Sequence, residues 1–463
     1  MDVLLTYDKE KLDGLGSGDI MELIQKHEAD EVPRYQQLYD YYMGNQAIES
    51  QDRAVEGAPN AQIVCNHAKD ISDTASGYFL GSPITYKLKD EAKAESFARF
   101  IDEIDKATTA DDDQELSLTL SIFGKGYEYD YVAEGLTEMR AKPIDPRNAF
   151  VVYDQSIEHT KLFGIYYYEK VDPLNENGDP DTYILEMTDT LLKYYKIPAG
   201  SEDDVEPYKE EEHRLGQVPL IEYKNNNYAI GDFEQQISLI DAYNTLTSDR
   251  IDDKEQFIDA ILVLYGAMLG DDDEATERLK VDKLIELPEG SKAEYLTRQL
   301  DESGMETLRN ALKEDIYTFS HVPNLTDENF AGNSSGVAME YKLLGLEMLT
   351  KNKERWYRRG LRERIDIFLN YLGLQGGRLD EEDIEVVFSR GLPKNLLELS
   401  QIVNNLADDV SLETRLSLLP FVEDPQAEAE KLNAQKEENV ARQQELFSTS
   451  SETGSENTEP ESE

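Results

Sequence analysis

Gly332-Asn333-Ser334-Ser335-Gly336 decides how this chain is read. As a pattern it is G-x-S-x-G, the sharp turn that presents a nucleophilic serine in many hydrolases. Such a turn needs a buried strand leading in, a helix leading out, and an acid then a histidine further along the chain. Helical composition does follow, from Val337 to about Tyr371. The strand is missing, because Pro323-Asn324-Leu325-Thr326-Asp327-Glu328-Asn329 is polar and turn-prone. The order fails as well: His27, His67, His159, His213 and His321 all precede Ser334. The stretch therefore reads as a loop. Gly332 and Gly336 turn the backbone, and Asn333 or Ser334 caps the long helix that begins near Gly336. Serine hydrolysis at Ser334 is carried forward as the competing reading.

Bulk properties narrow the choice. A chain of 463 residues has room for several domains. The single cysteine, Cys65, excludes an internal disulfide and fits a reducing compartment. The start, Met1-Asp2-Val3-Leu4-Leu5-Thr6-Tyr7-Asp8, lacks the basic residues and long apolar core of a signal peptide. No window holds the ~18 apolar residues a membrane span requires. The net charge of −51 argues against a protein that grips nucleic acid, which needs a basic surface to displace counterions. It suits a surface that lies beside DNA without adhering to it.

Hydrophobic spacing sets out an α+β chain, mainly α. A helix is expected from Asp19 to Tyr42, ending at Gly44, with others over Val64–Phe79, Glu91–Ile104 and Asp111–Phe123. The period then changes to two: Tyr127, Tyr129 and Tyr131 alternate with Glu128 and Asp130. Further strands are expected at Phe150–Tyr153, Phe163–Glu169, Tyr183–Thr188 and Leu191–Ile197, forming an antiparallel meander. Helix returns over Asp232–Asp259. A compact α/β insert follows, with strands near Ile261, Lys283–Leu287 and Ala293–Arg298 and an acidic helix from Asp271. Ser303 and Glu306 have capping-box spacing and open a helix through Phe319, so two helices flank the insert and run antiparallel. In the long helix, Gly345 and Gly360 read as bend points. Strand Ile384–Phe388 comes next, then helices over Asn395–Asp408, Leu412–Leu418 and from Pro425. Residues 448–463 are Ser, Thr and Glu with little else, the composition of a disordered tail.

Few residues suggest bond chemistry. Asp111–Asp113 and Asp271–Asp273 lack the alternate ligands, glycine and terminal glutamate of a calcium loop, and read as solvated helix starts. No Cys/His set has zinc spacing. A phosphate-binding G-x-x-x-x-G-K-[ST] loop is absent, with Val337 standing where lysine is required. No metal and no cofactor are expected. One basic stretch stands out: Lys351, Lys353, Arg355, Arg358, Arg359, Arg362 and Arg364 around Trp356 and Tyr357. It contacts nucleic acid on one reading. On the favoured one, Lys351, Arg355, Arg358, Arg359 and Arg362 pair with acidic surface of the same or a neighbouring subunit.

The order of elements resembles the portal proteins of tailed bacteriophages, closest to the long-tailed type from Gram-positive hosts. Tyr41-Tyr42-Met43-Gly44-Asn45 is similar to the family's first helix end. Asn66-His67-Ala68-Lys69-Asp70-Ile71 with Gly77-Tyr78-Phe79-Leu80-Gly81-Ser82-Pro83-Ile84 resembles its next segment. Phe330–Ala338, Ser411–Thr414 and Leu419–Pro425 fit in turn. The resemblance implies a multi-domain subunit of wing, stem, clip and crown that assembles into a ring. Residues 1–231 would be the first part of the wing, 232–260 a stem helix, 261–304 the clip and 305–322 the second stem helix. Residues 323–336 would be the tunnel loop, 337–394 the long wing helix and strand, 395–447 the crown and 448–463 the tail. Asn324, Asn329, Asn333, Ser334 and Ser335 would face DNA in the tunnel. Asp271, Asp272, Asp273, Glu289 and Lys292 would face the terminase and then the head–tail connector.

The same resemblance implies no enzyme activity of the chain's own. It implies twelve subunits at one capsid vertex of the virion, assembled in the host cytoplasm, with double-stranded DNA packaged and ejected through the axis without sequence-specific binding. Major capsid and scaffolding proteins would be further partners, and no membrane would be involved. Twelve copies of −51 give −612, so much of the tunnel wall should repel phosphate. Apart from the hydrolase, the remaining alternative is an acidic scaffold or adaptor without a channel.

Overall fold

The structure is a computed structural model that describes residues 4–51, 59–133, 135–170, 180–200, 205–258, 261–265, 290–296, 302–325, 339, 341–374, 378–390, 396–406, 410–419, 422 and 425–436. It divides into two compact units: Met1–Asp327 with Lys342–Gly391, and Glu328–Tyr341 with Leu392–Glu463.

The first unit opens with strand β1 (Thr6–Tyr7) and helices α1 (Ser17–Asp30) and α2 (Val32–Met43). One continuous helix is the sequence expectation here. Pro33 divides it, because a proline is tolerated only in a helix's first turn, and Glu31 serves as the junction. Gly44 does end α2 in the left-handed region, with φ of 97°. Helix α3 (His67–Leu80) starts where Asn66 accepts a hydrogen bond from the Lys69 amide. Strand β2 (Thr85–Leu88), α4 (Ala94–Ala107) and α5 (Thr109–Phe123) follow.

Three strands make a small antiparallel sheet in the order β10-β3-β4: β3 (Lys125–Val132), β4 (Met139–Ile144) and β10 (Leu220–Lys224). A six-stranded sheet runs β1-β5-β6-β7-β8-β9. Its members are β5 (Ala149–Asp154), β6 (Lys161–Lys170), β7 (Asp181–Met187), β8 (Leu191–Ile197) and β9 (Glu206–Glu212). The meander expectation holds for β5 through β8, β9 extends it without having been expected, and β3 lies in the other sheet. Helix α1 packs its Ile20, Leu23 and Ile24 against Phe150, Val152, Phe163 and Ile165 of the larger sheet.

Two helices form a hairpin: α6 (Ile237–Ile258) and α7 (Glu302–Ser320). Arg250 meets Glu306 at 2.5 Å and Lys254 meets Glu302 at 3.4 Å, a register that makes the helices antiparallel. Strands β11 (Ile261–Tyr265) and β12 (Lys292–Leu296) pair antiparallel at the hairpin's end. The expected acidic helix from Asp271 and the strand Lys283–Leu287 lie outside the described residues. The expected Ser303–Glu306 capping box does not form. Ser303 sits inside α7, and the Glu306 carboxylate is taken by Arg250 and by Arg309 at 2.6 Å.

Helix α8 (Leu344–Tyr371) runs 28 residues along the first unit. Its Tyr357, Leu361, Ile365 and Phe368 join Phe79, Phe100, Leu116, Leu120 and Tyr223 in one core. The helix is continuous through Gly360. A Cβ there would stand 2.3 Å from the Tyr223 ring, so glycine is what lets β10 approach. Strand β13 (Ile384–Val387) pairs with β2. In the second unit, α9 (Leu396–Asn405), the single turn-and-a-half α10 (Leu412–Leu416) and a helix over 425–436 are described. Ser411 caps α10 through the Thr414 amide. The expected disordered tail at 448–463 lies outside the described residues.

Candidate functional site: the anchored long helix and the helical hairpin

Helix α8 carries its charges in two sets. Residues 353, 357, 360, 361, 364 and 368 recur at helical spacing on the core side, so Lys353 and Arg364 are carried inward with the apolar residues. A buried cation must be paired or its desolvation is uncompensated. Arg364, with none of its surface exposed, forms a bidentate pair with Glu128 of β3, its Nε–Oε1 distance being 2.8 Å. Its Nη2 also donates to Asp113 of α5 at 2.6 Å. Tyr357 donates to Asp113 at 2.9 Å and Tyr223 to Glu128 at 3.1 Å. Burial opposes the Arg364 charge, but Asp113 and Glu128 outweigh it and hold the guanidinium protonated.

One acid in this layer stays unsatisfied. Asp130 is fully buried two residues along β3 from Glu128, and neither carboxyl oxygen has a hydrogen-bond partner among the described residues. Burial first, and then the charge of Glu128, push its carboxyl well above the usual range. Burial raises the Glu128 carboxyl as well, but there the charge and hydrogen bonds of Arg364 oppose the shift, and Asp130 has no such hydrogen bond among the described residues. Nearer the other end of α8, Lys353 pairs with buried Asp232, which also accepts from Ser121 at 2.6 Å and Asn225 at 2.9 Å. The expectation of solvated helix starts fails here. Asp112 and Asp113 are buried, the former pairing with Lys142 at 2.8 Å, and only Asp111 is exposed.

The exposed cations of α8 behave differently. Lys351 lies 3.6 Å from Glu347, and Arg362 lies 3.0 Å from Glu381. Arg358 pairs with Glu354 at 2.9 Å, donates to the Val386 carbonyl and covers the Phe388 ring. Arg359 sits 4.9 Å over the ring of Trp356. Arg355 is exposed.

The hairpin is tied to the body by three devices. Residues 61–65 run extended beside α6, and alternate amides donate to its side chains: Ala61 to Asp252 at 2.7 Å, Ile63 to Ser248 at 3.0 Å, Cys65 to Asn244 at 2.9 Å. The acceptors are spaced four apart, one per helical turn, matching the two-residue repeat of the strap. At α7, Tyr317 donates to Asp70 at 2.5 Å and meets His67 Nδ1 at 3.2 Å. At the base of α6, Arg34 holds Glu234 at 2.6 Å and Tyr41 donates to Asp241 at 2.8 Å.

Other candidate residues are dispersed. Lys292 is exposed on β12, opposite Tyr265. Asn324 is half-buried just beyond α7. Asn329, Asn333, Ser334, Ser335, Asp271, Asp272, Asp273 and Glu289 lie outside the described residues. His27 shares a hydrogen bond with Tyr167 and packs on Phe150, while His213 meets the Thr188 carbonyl. Among the described residues no group of three His, Cys, Asp or Glu side chains is placed to hold a metal ion. No described helix is long and apolar enough to cross a membrane.

The described residues thus give a long helix tied into the body and a helical hairpin that ends in the paired strands β11 and β12. The family model described as phage portal protein, SPP1 Gp6-like, matches residues 22–442. The chain belongs to that family. Among curated relatives, this portal chain is 25% identical to the portal protein of Bacillus phage SPP1 over 428 residues, covering 84% of the chain and 80% of the relative. It is 26% identical to the portal protein of Clostridium phage phiCD119 over 316 residues, covering 65% and 68% respectively. Among solved structures, a chain in the neck of an empty gene transfer agent particle aligns with TM-score 0.47 and 12% identity, covering 76% of this chain and 89% of that one. A chain from the native gene transfer agent virion aligns with TM-score 0.45 and 11% identity, over the same shares.

The family was legible from short phrases and element order. The buried anchor was missed, and the signal for it was present: Lys353 and Arg364 share the helical period of Tyr357, Leu361 and Phe368. Charged residues at core positions of an amphipathic helix call for buried acids elsewhere.

Proposed function

We propose that this portal chain forms a ring of twelve copies at one capsid vertex, through which double-stranded DNA is packaged and later ejected. The match to the portal family over residues 22–442 carries this reading. On it, α6 and α7 are the stem, residues 261–304 the clip, 323–336 the tunnel loop, the sheets and α8 the wing, and 395–447 the crown. The clip meets the terminase and afterwards the head–tail connector, with Asp271, Asp272, Asp273, Glu289 and Lys292 as contacts. Asn324, Asn329, Asn333, Ser334 and Ser335 line the narrow part of the tunnel. Scaffolding and major capsid proteins surround the ring during assembly in the host cytoplasm. The chain itself breaks no bonds.

The acidity supports passage without adhesion, since a wall of net negative charge offers DNA few sites at which to displace counterions. Electron microscopy of the purified protein tests the reading. Rings with an axial hole are expected, and persistent compact monomers would overturn it. A fluorophosphonate probe should leave the protein unlabelled; labelling abolished by Ser334→Ala would instead establish a hydrolase.

A further inference from the structure

On the outward face of α8, Lys351 and Arg362 make ion pairs within the subunit, and Arg355 and Arg359 lie between them. Lys351, Arg355, Arg359 and Arg362 project within roughly 80° of one another around the helix, opposite the side that carries Lys353, Tyr357 and Arg364 inward. Leu344 and Met348, 52% and 66% exposed, extend the same stripe toward the helix start. Among the described residues neither Arg355 nor Arg359 has an ion-pair partner; Arg359 rests only on Trp356. That is unexpected in a chain with 97 carboxylate residues and 46 basic ones. Every inward cation of α8 has found its acid.

Arginine, tryptophan and methionine are the residue types enriched where protein surfaces meet. A guanidinium gains most from a carboxylate it meets as water is excluded. We infer that this stripe is a contact surface for an acidic face of the adjacent copy in the ring. Charge complementarity selects the occupant: a second copy brings −51. A head-to-tail ring joins two different patches of the same chain, so a basic stripe on one face can meet acids on another. DNA phosphate is the rival occupant. The inference rests on the portal reading.

Two full-length double variants test it, Arg355→Glu with Arg359→Glu and Arg355→Lys with Arg359→Lys, compared with the unaltered chain by mass photometry across protein and salt concentrations. The exposed positions leave folding intact, which circular dichroism and thermal melting check. The glutamate variant is expected to need roughly tenfold or more protein to form rings, because like charges are brought together. The lysine variant should keep rings that dissociate at lower salt than the unaltered chain's. Glutamate-variant rings at unaltered concentrations would overturn the inference. Intact rings with altered DNA retention would reassign the stripe to DNA. An unaltered chain that never forms rings would sink the portal reading itself.

Discussion

Arg364 is the residue on which the first unit's interior electrostatics turn. Replacing it with methionine leaves Glu128 and Asp113 buried without their counter-charge, and breaking a buried pair in this way costs about 3–5 kcal/mol. Chemical denaturation should show that loss, and Arg364→Lys should recover only part of it, because an ammonium cannot repeat the bidentate geometry. Asp130 contributes with the opposite sign. Its folded-state carboxyl titrates above its unfolded value, so whatever stability it lends exists at acid pH and is lost as pH rises. Asp130→Asn should therefore gain on the unaltered chain as pH is raised from acid to neutral. A melting-temperature difference that is flat with pH would contradict this.

His27 shows the converse. Burial, aided by Lys125, lowers its imidazole to about 4. A depressed histidine is neutral in the fold, so its contribution is present above about pH 6.5 and lost as pH falls toward 4. That loss is on the order of 3 kcal/mol across the window. Denaturation of His27→Phe should lack that part of the acid sensitivity.

At the scale of elements, the strap along α6 makes a specific claim. Ser248→Ala removes the acceptor of the Ile63 amide, and hydrogen exchange should quicken there more than at Ala61 or Cys65. Equal rates at all three would show that the strap is held by something else. Gly360→Ala forces a methyl into the Tyr223 ring and should destabilise by about 1–3 kcal/mol, read as a lowered melting temperature.

Elements also mark where sequence reading reaches its limit. The alternating tyrosines of β3 and the apolar period of α8 announce their own structure, because each face is decided locally. The division at Pro33 was legible too, had the proline been weighed above the periodicity around it. Strands β2, β4, β9 and β10 were not. The first and last of them depend on partners far along the chain, β13 for β2 and β3 for β10. Strand β9, Glu-Pro-Tyr-Lys-Glu-Glu-Glu, has no apolar face at all and is strand only by pairing with β8. The same non-locality hid the acids of α5: Asp113 reads as a solvated helix start until Arg364 is placed beside it.

At the scale of the whole molecule, function follows from the way one subunit is joined to others and to the DNA between them. Shortening residues 323–336 should impair packaging while rings persist in the microscope; unchanged packaging would remove the loop from the DNA path. Loss of rings in the same variant would make the segment part of assembly instead.

The distance along the chain between Arg364 and its acids sets an order of events during synthesis. Glu128 is 236 residues upstream of Arg364. At about 5–20 residues per second, a ribosome needs roughly 10–50 s to cover that interval. Throughout it, the newly made sheets and α5 hold acids whose counter-charge does not yet exist. The core around Arg364 can close only when α8 emerges, after both hairpin helices. A chain cut short before α8 would leave Glu128 and Asp113 without Arg364, which makes the synthesis of α8 the step that allows this interior to close.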